Sequence, residues 1–314
     1  MISTIFKHAV CVTALSCAVY AQESSFGMCE VVIPAAGFGT RSLPSTKSVP
    51  KELLPLLNET AAQKTVEECL EGGFNHCCFI VNESKKAIKE YFTRNEKFEN
   101  NLKRVGKLHF LDGINALIAR TTFTYVDQPV MKGLGHAVLM AKPFIKHHYF
   151  GVILPDMFFF DAESAMLQIA RVAQKYKTTV IAVQKVSPQE ISAYGTIKIG
   201  TVISEGLFQV SGLVEKPKTA ELAPSLYAIM GRYIFSTSIF DAIEKVAPLA
   251  QGEIQLTDAI AYLVEKGECV LAYEIKGKLF DIGRPHGWLG ANVYLGLHSP
   301  EYGDQIRTML KELL

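Results

Sequence analysis

From Glu30 onward, short apolar runs alternate with longer stretches whose apolar positions recur every three or four residues. The runs VVIP (31–34), CCFIV (77–81), TFTYV (122–126), GVILP (151–155) and TVIAVQ (179–184) predict strands. Their continuous apolarity is what buried parallel strands require. Between them, AAQKTVEECLEGG, SKKAIKEYF, GLGHAVLMAKPF and ESAMLQIARVAQKY carry helical periodicity. Ser84 and Glu163 are the expected helix starts and Gly72-Gly73 an expected stop. Strand and helix in alternation predict βαβ units and a largely parallel sheet. The second half is richer in β signals: GTIKIGTV, FQVSGLVEKP and YAIMGRYIFS form an excursion from the main pattern. The helices STSIFDAIEKV and QLTDAIAYLVEK, a strand VLAYEIKG and a last helix from Pro285 close the chain.

With 49% hydrophobic and 20% charged residues in 314, the chain can bury a sizeable core. There are no repeats and no low-complexity linker, so residues 29–314 are expected to form a single domain. The 32 basic and 31 acidic residues leave a net charge of +1. Such a balance supplies no global field for a nucleic-acid polymer, so any bound anion must be held locally. Seven cysteines form no C-x-x-C pair and no zinc-ligand spacing, and are expected to be free thiols. Residues 1–28 form a leader of a different kind. Lys7, an apolar stretch from Ala9 to Tyr20 and the Val19-Tyr20-Ala21 end follow the grammar of a cleaved signal peptide. The rival reading is an upstream extension before a true start at Met28. Beyond this leader no apolar stretch is long enough to span a membrane.

The chemistry concentrates in VVIPAAGFGTRSLPSTKSVPKELLPL, Val31 to Leu56. An apolar run breaks into a glycine loop, followed by Arg41, Lys47 and Lys51. Ligands bind beyond the carboxyl ends of parallel strands. Gly37 and Gly39 let backbone N–H groups approach phosphate oxygens. Arg41 can fork onto a phosphate, while the lysines act as point charges. Two common phosphate motifs are excluded. No G-x-x-x-x-G-K-[ST] string occurs, and the third glycine of G-x-G-x-x-G is replaced by Ser42 here and by Val138 in GLGHAV. Three cations in one loop point to a polyphosphate.

These residues, G-x-G-T-R-x-L-P-x-T-K-x-x-P-K-E-L-L-P, resemble the opening of the bacterial UTP–glucose-1-phosphate uridylyltransferases, which are sugar-phosphate nucleotidyltransferases. The resemblance continues in order through QPVMKGLGHAV, VILPDM, AYGTIK, LVEKPK, APSLYAIMGRYIFS, GEIQLTDAI and IKGKLFDIG, covering Cys29 to about Leu297. It implies a three-layer α/β/α, Rossmann-like sandwich with a mixed, mostly parallel central sheet and a β-rich sugar-binding excursion. The implied enzyme joins UTP to α-D-glucose 1-phosphate, giving UDP-glucose and pyrophosphate. It implies Mg²⁺ held by Asp156 and Asp281, with Arg41 and Lys51 on the triphosphate and Lys216 on the sugar phosphate. Ala36, Gly37, Gly39, Gln128 and Gly133 would receive the nucleotide. Tyr194, Gly195, Glu215 and Gly231 would face the sugar. His136 is expected to pack or cap rather than react. The family also implies self-association, as a dimer or tetramer, and a cytoplasmic enzyme; the leader leaves export as a second reading.

The segment LLNETAAQKTVEE lacks the D-K-P-x-I expected of the family, with only Gln63 in common, which bears on first-helix packing or an oligomer contact. Ile282 stands in FDIG where cysteine is frequent in the family. Three alternatives remain open at this level. One is a sister enzyme using dTTP or another sugar 1-phosphate. Another is a nucleotide-sugar-binding relative without turnover, which would be expected to lose Arg41, Asp156, Lys216 or Asp281. The third, an NAD-dependent oxidoreductase, is disfavoured by the broken fingerprint.

Overall fold

The structure, a computed structural model, describes residues 27–246 and 252–313. Nearly all of the leader (1–26), with Cys11 and Cys17, therefore lies outside the described residues. In chain order the strands are β1 (Glu30–Pro34), β2 (Pro55–Leu56), β3 (Glu59–Thr60), β4 (His76–Val81), β5 (Thr122–Asp127), β6 (Tyr149–Ile153) and β7 (Met157–Phe160). They continue as β8 (Thr179–Lys185), β9 (Thr196–Ser204), β10 (Leu207–Val214), β11 (Tyr227–Ser236), β12 (Val270–Glu274) and β13 (Lys278–Asp281). Nine of these build one sheet in the order β5-β4-β1-β6-β11-β8-β12-β10-β9. Strands β5, β4, β1 and β6 are parallel neighbours, and β12 lies parallel to β8. Strand β11 runs against β6 and β8, and β10 against β12 and β9. Only β10 and β11 are therefore reversed, which is the mixed, mostly parallel sheet that was expected.

Alternate residues of each central strand feed opposite cores. Val31, Ile33, Cys77, Phe79, Val180 and Ala182 pack with Val66, Cys69, Met166 and Ile169 of the helices Ala61–Glu71 and Ala165–Tyr176. Val32, Cys78, Ile80, Ile181 and Val183 pack with Val138, Ile239, Phe240 and Ile260 of the helices Gly133–Met140, Ser238–Lys245 and Leu256–Glu265. Both faces are covered, so the strands carry no polar face; this is the physical origin of their unbroken apolar runs. A third cluster of Leu56, Phe158, Ile282 and Ala291 seats the β7–β13 ribbon against the helix Pro285–His298.

Several boundaries differ from expectation. Strand β6 stops at Ile153 rather than continuing to Pro155. Asn82, not Ser84, caps the turn after β4, accepting the Ser84 N–H at 2.9 Å. Ser164, not Glu163, caps its helix by accepting from Leu167 N at 3.3 Å. A further helix, Gly303–Leu313, follows the one that begins at Pro285. The atypical segment after Leu54 folds as the β2–β3 hairpin, and Thr60 caps the next helix by accepting from Gln63 N at 3.1 Å. Buried Gln63 accepts from the Tyr91 hydroxyl at 2.6 Å, so this segment is tied into the fold by its own contacts. Cys29, Cys69, Cys77, Cys78 and Cys269 are free thiols. Among the described residues no helix is long and apolar enough to cross a membrane.

Candidate active site

Strand β1 is where the chain reverses its direction of travel across the sheet: β4 lies on one side of it and β6 on the other. Beyond the carboxyl ends of strands at such a point a crevice opens. Here it is a cleft of about 280 Å³, and its lining includes Ala36, Gly37, Lys51, Gln128, Gly133 and Asp156. The glycines earn their places differently. A Cβ on Gly37 would meet nothing within 4 Å, so this position faces open space. Gly39 has a left-handed backbone (φ +67°) and its carbonyl accepts from Thr46 Oγ1 at 2.8 Å, closing the loop on itself. Gly133 also has positive φ (+87°), but its Cβ would lie 2.7 Å from the Ile254 carbonyl oxygen. Its need for glycine thus comes from the crossing backbone of Ile254 rather than from a ligand ring alone.

The loop runs on through three short 3-10 turns, Thr40–Ser42, Ser45–Lys47 and Lys51–Leu53. The last is anchored by Glu52, fully buried and accepting from Lys85 Nζ at 2.9 Å, which presents Lys51 to the cleft. Across the cleft, Gln128 is buried and its Nε2 lies 2.8 Å from His136 Nδ1. Burial and the nearby Lys132 lower the pKa of His136, favouring the neutral ring that can accept this bond. His136 is thus a support for Gln128, consistent with the packing role expected of it.

Asp156 lies in the turn between β6 and β7, immediately before Met157; Asp281 ends β13. The antiparallel β7–β13 register sets Asp281 opposite Met157, and Ile282 N donates to the Asp156 carbonyl at 2.9 Å. Residues 125 positions apart in sequence are thereby brought side by side. Lys51 Nζ donates to Asp156 Oδ2 at 2.5 Å. A Cβ on Gly283 would lie 3.0 Å from Asp281 Oδ1, 3.3 Å from Asp156 Oδ2 and 3.7 Å from an Arg41 guanidinium nitrogen. Both carboxylates and Arg41 therefore converge on a space kept open by a missing side chain. Burial works to raise the pKa of Asp156, but the Lys51 charge and hydrogen bond, with Arg41 and Arg232, outweigh it and hold the carboxyl below its usual range. Asp281 goes the other way, raised by burial and then by the charge of Asp156. Two hard-oxygen donors competing for negative charge around a gap suit a divalent cation. Among the described residues no three His, Cys, Asp or Glu side chains cluster, so the remaining ligands would have to be phosphate oxygens and water.

The expected sugar-side residues form an adjoining group. Thr257 Oγ1 donates to Glu215 Oε2 at 2.6 Å, and a Cβ on Gly195 would lie 2.8 Å from that same oxygen. Lys216 Nζ stands 3.4 Å from Glu215 Oε1, on a backbone with φ of +43°, an unusual conformation for lysine. Burial and then the charge of Asp281 raise the pKa of the Tyr194 phenol, which links this group to the carboxylates. Gly231 has a structural demand of its own. Its φ is +62°, its carbonyl accepts from Leu154 N at 2.9 Å, and a Cβ would sit 3.0 Å from the Leu154 side chain. It lies in the irregular stretch of β11 between Ile229 and Tyr233, and close approach to Leu154 by itself requires a glycine here.

The family model described as nucleotidyl transferase matches residues 30–296. The chain belongs to the nucleotidyl transferase family. It is 41% identical over 262 residues to a UTP–glucose-1-phosphate uridylyltransferase of Pseudomonas aeruginosa, covering 83% of this chain and 93% of that one. It is 38% identical over 289 residues to the Escherichia coli K12 protein of the same name, covering 90% and 95%. A UDP-glucose pyrophosphorylase solved with UDP-glucose superposes with a TM-score of 0.78 at 35% identity, over 87% of this chain and 100% of that one. A UTP-bound UGPase from Acinetobacter baumannii gives 0.84 at 31% identity, over 91% and 100%. Nucleotidyl transferases of this kind generally use divalent metals.

Within this nucleotidyl transferase, some polar groups around the site were not anticipated. Arg284 Nε stands 3.3 Å from Asp281 Oδ2. Thr257 orients Glu215, and the buried pair Arg232–Glu68 lies behind Asp156. The one signal for Arg232 was visible: an arginine inside the otherwise apolar YAIMGRYIFS. Glu68, in a helix of mixed polarity, carried none.

Proposed function

We propose that the protein is a UTP–glucose-1-phosphate uridylyltransferase, making UDP-glucose and pyrophosphate. The observation that carries this reading is the convergence of Arg41, Lys51, Asp156 and Asp281 at one end of a nucleotide-sized cleft, with Glu215 and Lys216 in the adjoining group. The similarity to named uridylyltransferases over most of both chains supports the choice of substrates.

The reaction forms a bond from a phosphate oxygen of glucose 1-phosphate to the α-phosphorus of UTP and breaks the α–β phosphoanhydride. The second pKa of a phosphate monoester is about 6, so the nucleophile is already a dianion near neutrality and needs no strong general base. The chain's task is to bring two anions into line and cancel their repulsion. Lys51 and Arg41 hold the triphosphate and stabilise charge on the departing pyrophosphate. Lys216 holds the phosphate of glucose 1-phosphate, and the left-handed backbone beneath it is the kind of strain kept at functional positions. Glu215, fixed by Thr257, accepts from sugar hydroxyls, with Tyr194 and Gly195 alongside. Backbone groups at Ala36-Gly37 and the amide of Gln128 read the uracil edge, and Gly39 and Gly133 shape the loops around it. Asp156 and Asp281 would hold Mg²⁺, which would supply charge neutralisation between the two substrates' phosphates. On this reading the protein works in the cytoplasm, where UTP is available, and self-associates as a dimer or tetramer.

The test is a panel of UTP, dTTP, ATP and GTP against several sugar 1-phosphates, with pyrophosphate release as readout. UTP with glucose 1-phosphate and Mg²⁺ should far exceed every other pair. Turnover with dTTP but not UTP would overturn the substrate assignment.

A further inference from the structure

A fully buried arginine is a costly thing to place behind a strand end, and Arg232 has no exposed surface at all. Each of its three guanidinium nitrogens donates a hydrogen bond. Nε and Nη2 donate to Glu68 Oε1 and Oε2 at 3.0 and 2.7 Å, while Nη1 donates to the carbonyl of Leu154 at 2.9 Å. It also lies over the ring of Phe159, 5.2 Å from the centroid. Leu154 is two residues before Asp156 and Phe159 three after it, so one group grips the turn on both sides. Leu154 N is held by the Gly231 carbonyl at 2.9 Å. Both peptide groups of Leu154 are therefore tied to consecutive residues of β11, and Pro155 stiffens the single step to Asp156.

The position explains the residue type. On the β6 side of β11 the last ladder pair is Arg232–Ile153, and just beyond it the Leu154 carbonyl takes a side-chain donor. An apolar side chain would fill the same volume without desolvation cost, but would leave that carbonyl unpaired and free to turn. Glu68 also accepts from Met166 N at 3.1 Å, so the pair is braced by both helices on that face.

We propose that Arg232 and Glu68 are positioning residues that fix the Leu154–Asp156 turn, and with it the Asp156 carboxylate, for metal binding. This rests on the reading of Asp156 as a metal-holding carboxylate. The buried pair is then a brace for the catalytic turn rather than a source of core stability.

The experiment compares wild type, Asp156→Asn, the double variant Glu68→Met/Arg232→Met and Arg232→Lys. The double variant removes both buried charges at similar volume. Arg232→Lys retains the charge but cannot span Glu68 and Leu154 together. Mn²⁺ is titrated calorimetrically into each protein saturated with UDP-glucose, alongside thermal melting and steady-state kinetics. We expect the double variant to melt within a few degrees of wild type, yet bind Mn²⁺ at least tenfold more weakly. Its kcat should fall in step while KM for glucose 1-phosphate stays unchanged. Arg232→Lys should show the same pattern, and it carries the test if the double variant does not fold. Wild type without Mn²⁺ uptake, or Asp156→Asn binding like wild type, overturns the metal reading and the brace with it. Loss of Mn²⁺ in Asp156→Asn but wild-type affinity in the folded brace variants overturns the brace alone.

Discussion

Replacing Lys51 by methionine tests the charge arrangement most directly. The side chain keeps its length and packing but loses the ammonium that donates to Asp156 Oδ2 at 2.5 Å. Its turn is anchored from beneath by the buried Glu52–Lys85 pair, so the backbone at residue 51 should hold its place. Two estimates of the catalytic loss agree. A unit charge about 4 Å from a phosphate oxygen, at an effective dielectric near 20, contributes about 4 kcal/mol. Removal of one preorganised donor from a developing oxyanion costs about 10²–10³ in kcat, roughly 2.7–4 kcal/mol. The effect on folding should be far smaller. Both partners are about a fifth exposed (21% and 22%), so solvent screening limits the loss to about 1 kcal/mol. For a chain of this size that lowers Tm by about 2–4 °C. Kinetics of pyrophosphate release, with melting curves on the same samples, separate the two. A Lys51→Met enzyme that keeps kcat within threefold of wild type, while folded, would refute the assignment of Lys51 to the triphosphate.

Asp281→Asn should leave the fold intact but demand at least tenfold more Mg²⁺ for half-maximal rate, measured by metal titration; an unchanged requirement would remove Asp281 from the metal site. Glu215→Gln should raise KM for glucose 1-phosphate about 10- to 100-fold with KM for UTP unchanged, since a charge-assisted hydrogen bond is worth about 1.5–3 kcal/mol. Gly231→Ala forces a Cβ to 3.0 Å from Leu154 at φ +62°, and should cost about 1–3 kcal/mol in denaturant unfolding. Burial raises the Cys78 pKa from 9.0 to about 12, so above pH 9 the unfolded chain releases a proton that the folded chain keeps. Stability should therefore be unaffected by this group below pH 9 and fall between pH 9 and 12, by up to ~1.4 kcal/mol per unit; Cys78→Ala should flatten that limb.

The unbroken apolar runs around Val31, Cys77 and Val180 were legible because both faces of those strands are covered, which leaves no other pattern for them to show. The helices Glu96–Arg104 and Asp112–Arg120 were not, because the first buries no residue and the second only Leu117. Caps were misplaced by one or two residues, since Asn82 and Ser164 compete with equally plausible neighbours. At the site, the loop cations and Asp156 stood out by their place after apolar strands. Asp281 did not, and it was assigned only by resemblance.

What the sequence by itself determined is therefore local: the glycine loop, its three cations, a carboxylate following a buried strand, and a family pattern running from Cys29 to about Leu297. Tertiary structure alone decided the rest. The β7–β13 register set Asp281 beside Asp156, and the missing Cβ of Gly283 kept the space between them open. The close approach of β11 to Leu154 gave Gly231 a backbone reason to be glycine and gave Arg232 a carbonyl to hold. Pairing across a sheet joins residues that sequence separation hides, and a glycine's purpose depends on which neighbour comes close. Neither is written in a linear pattern.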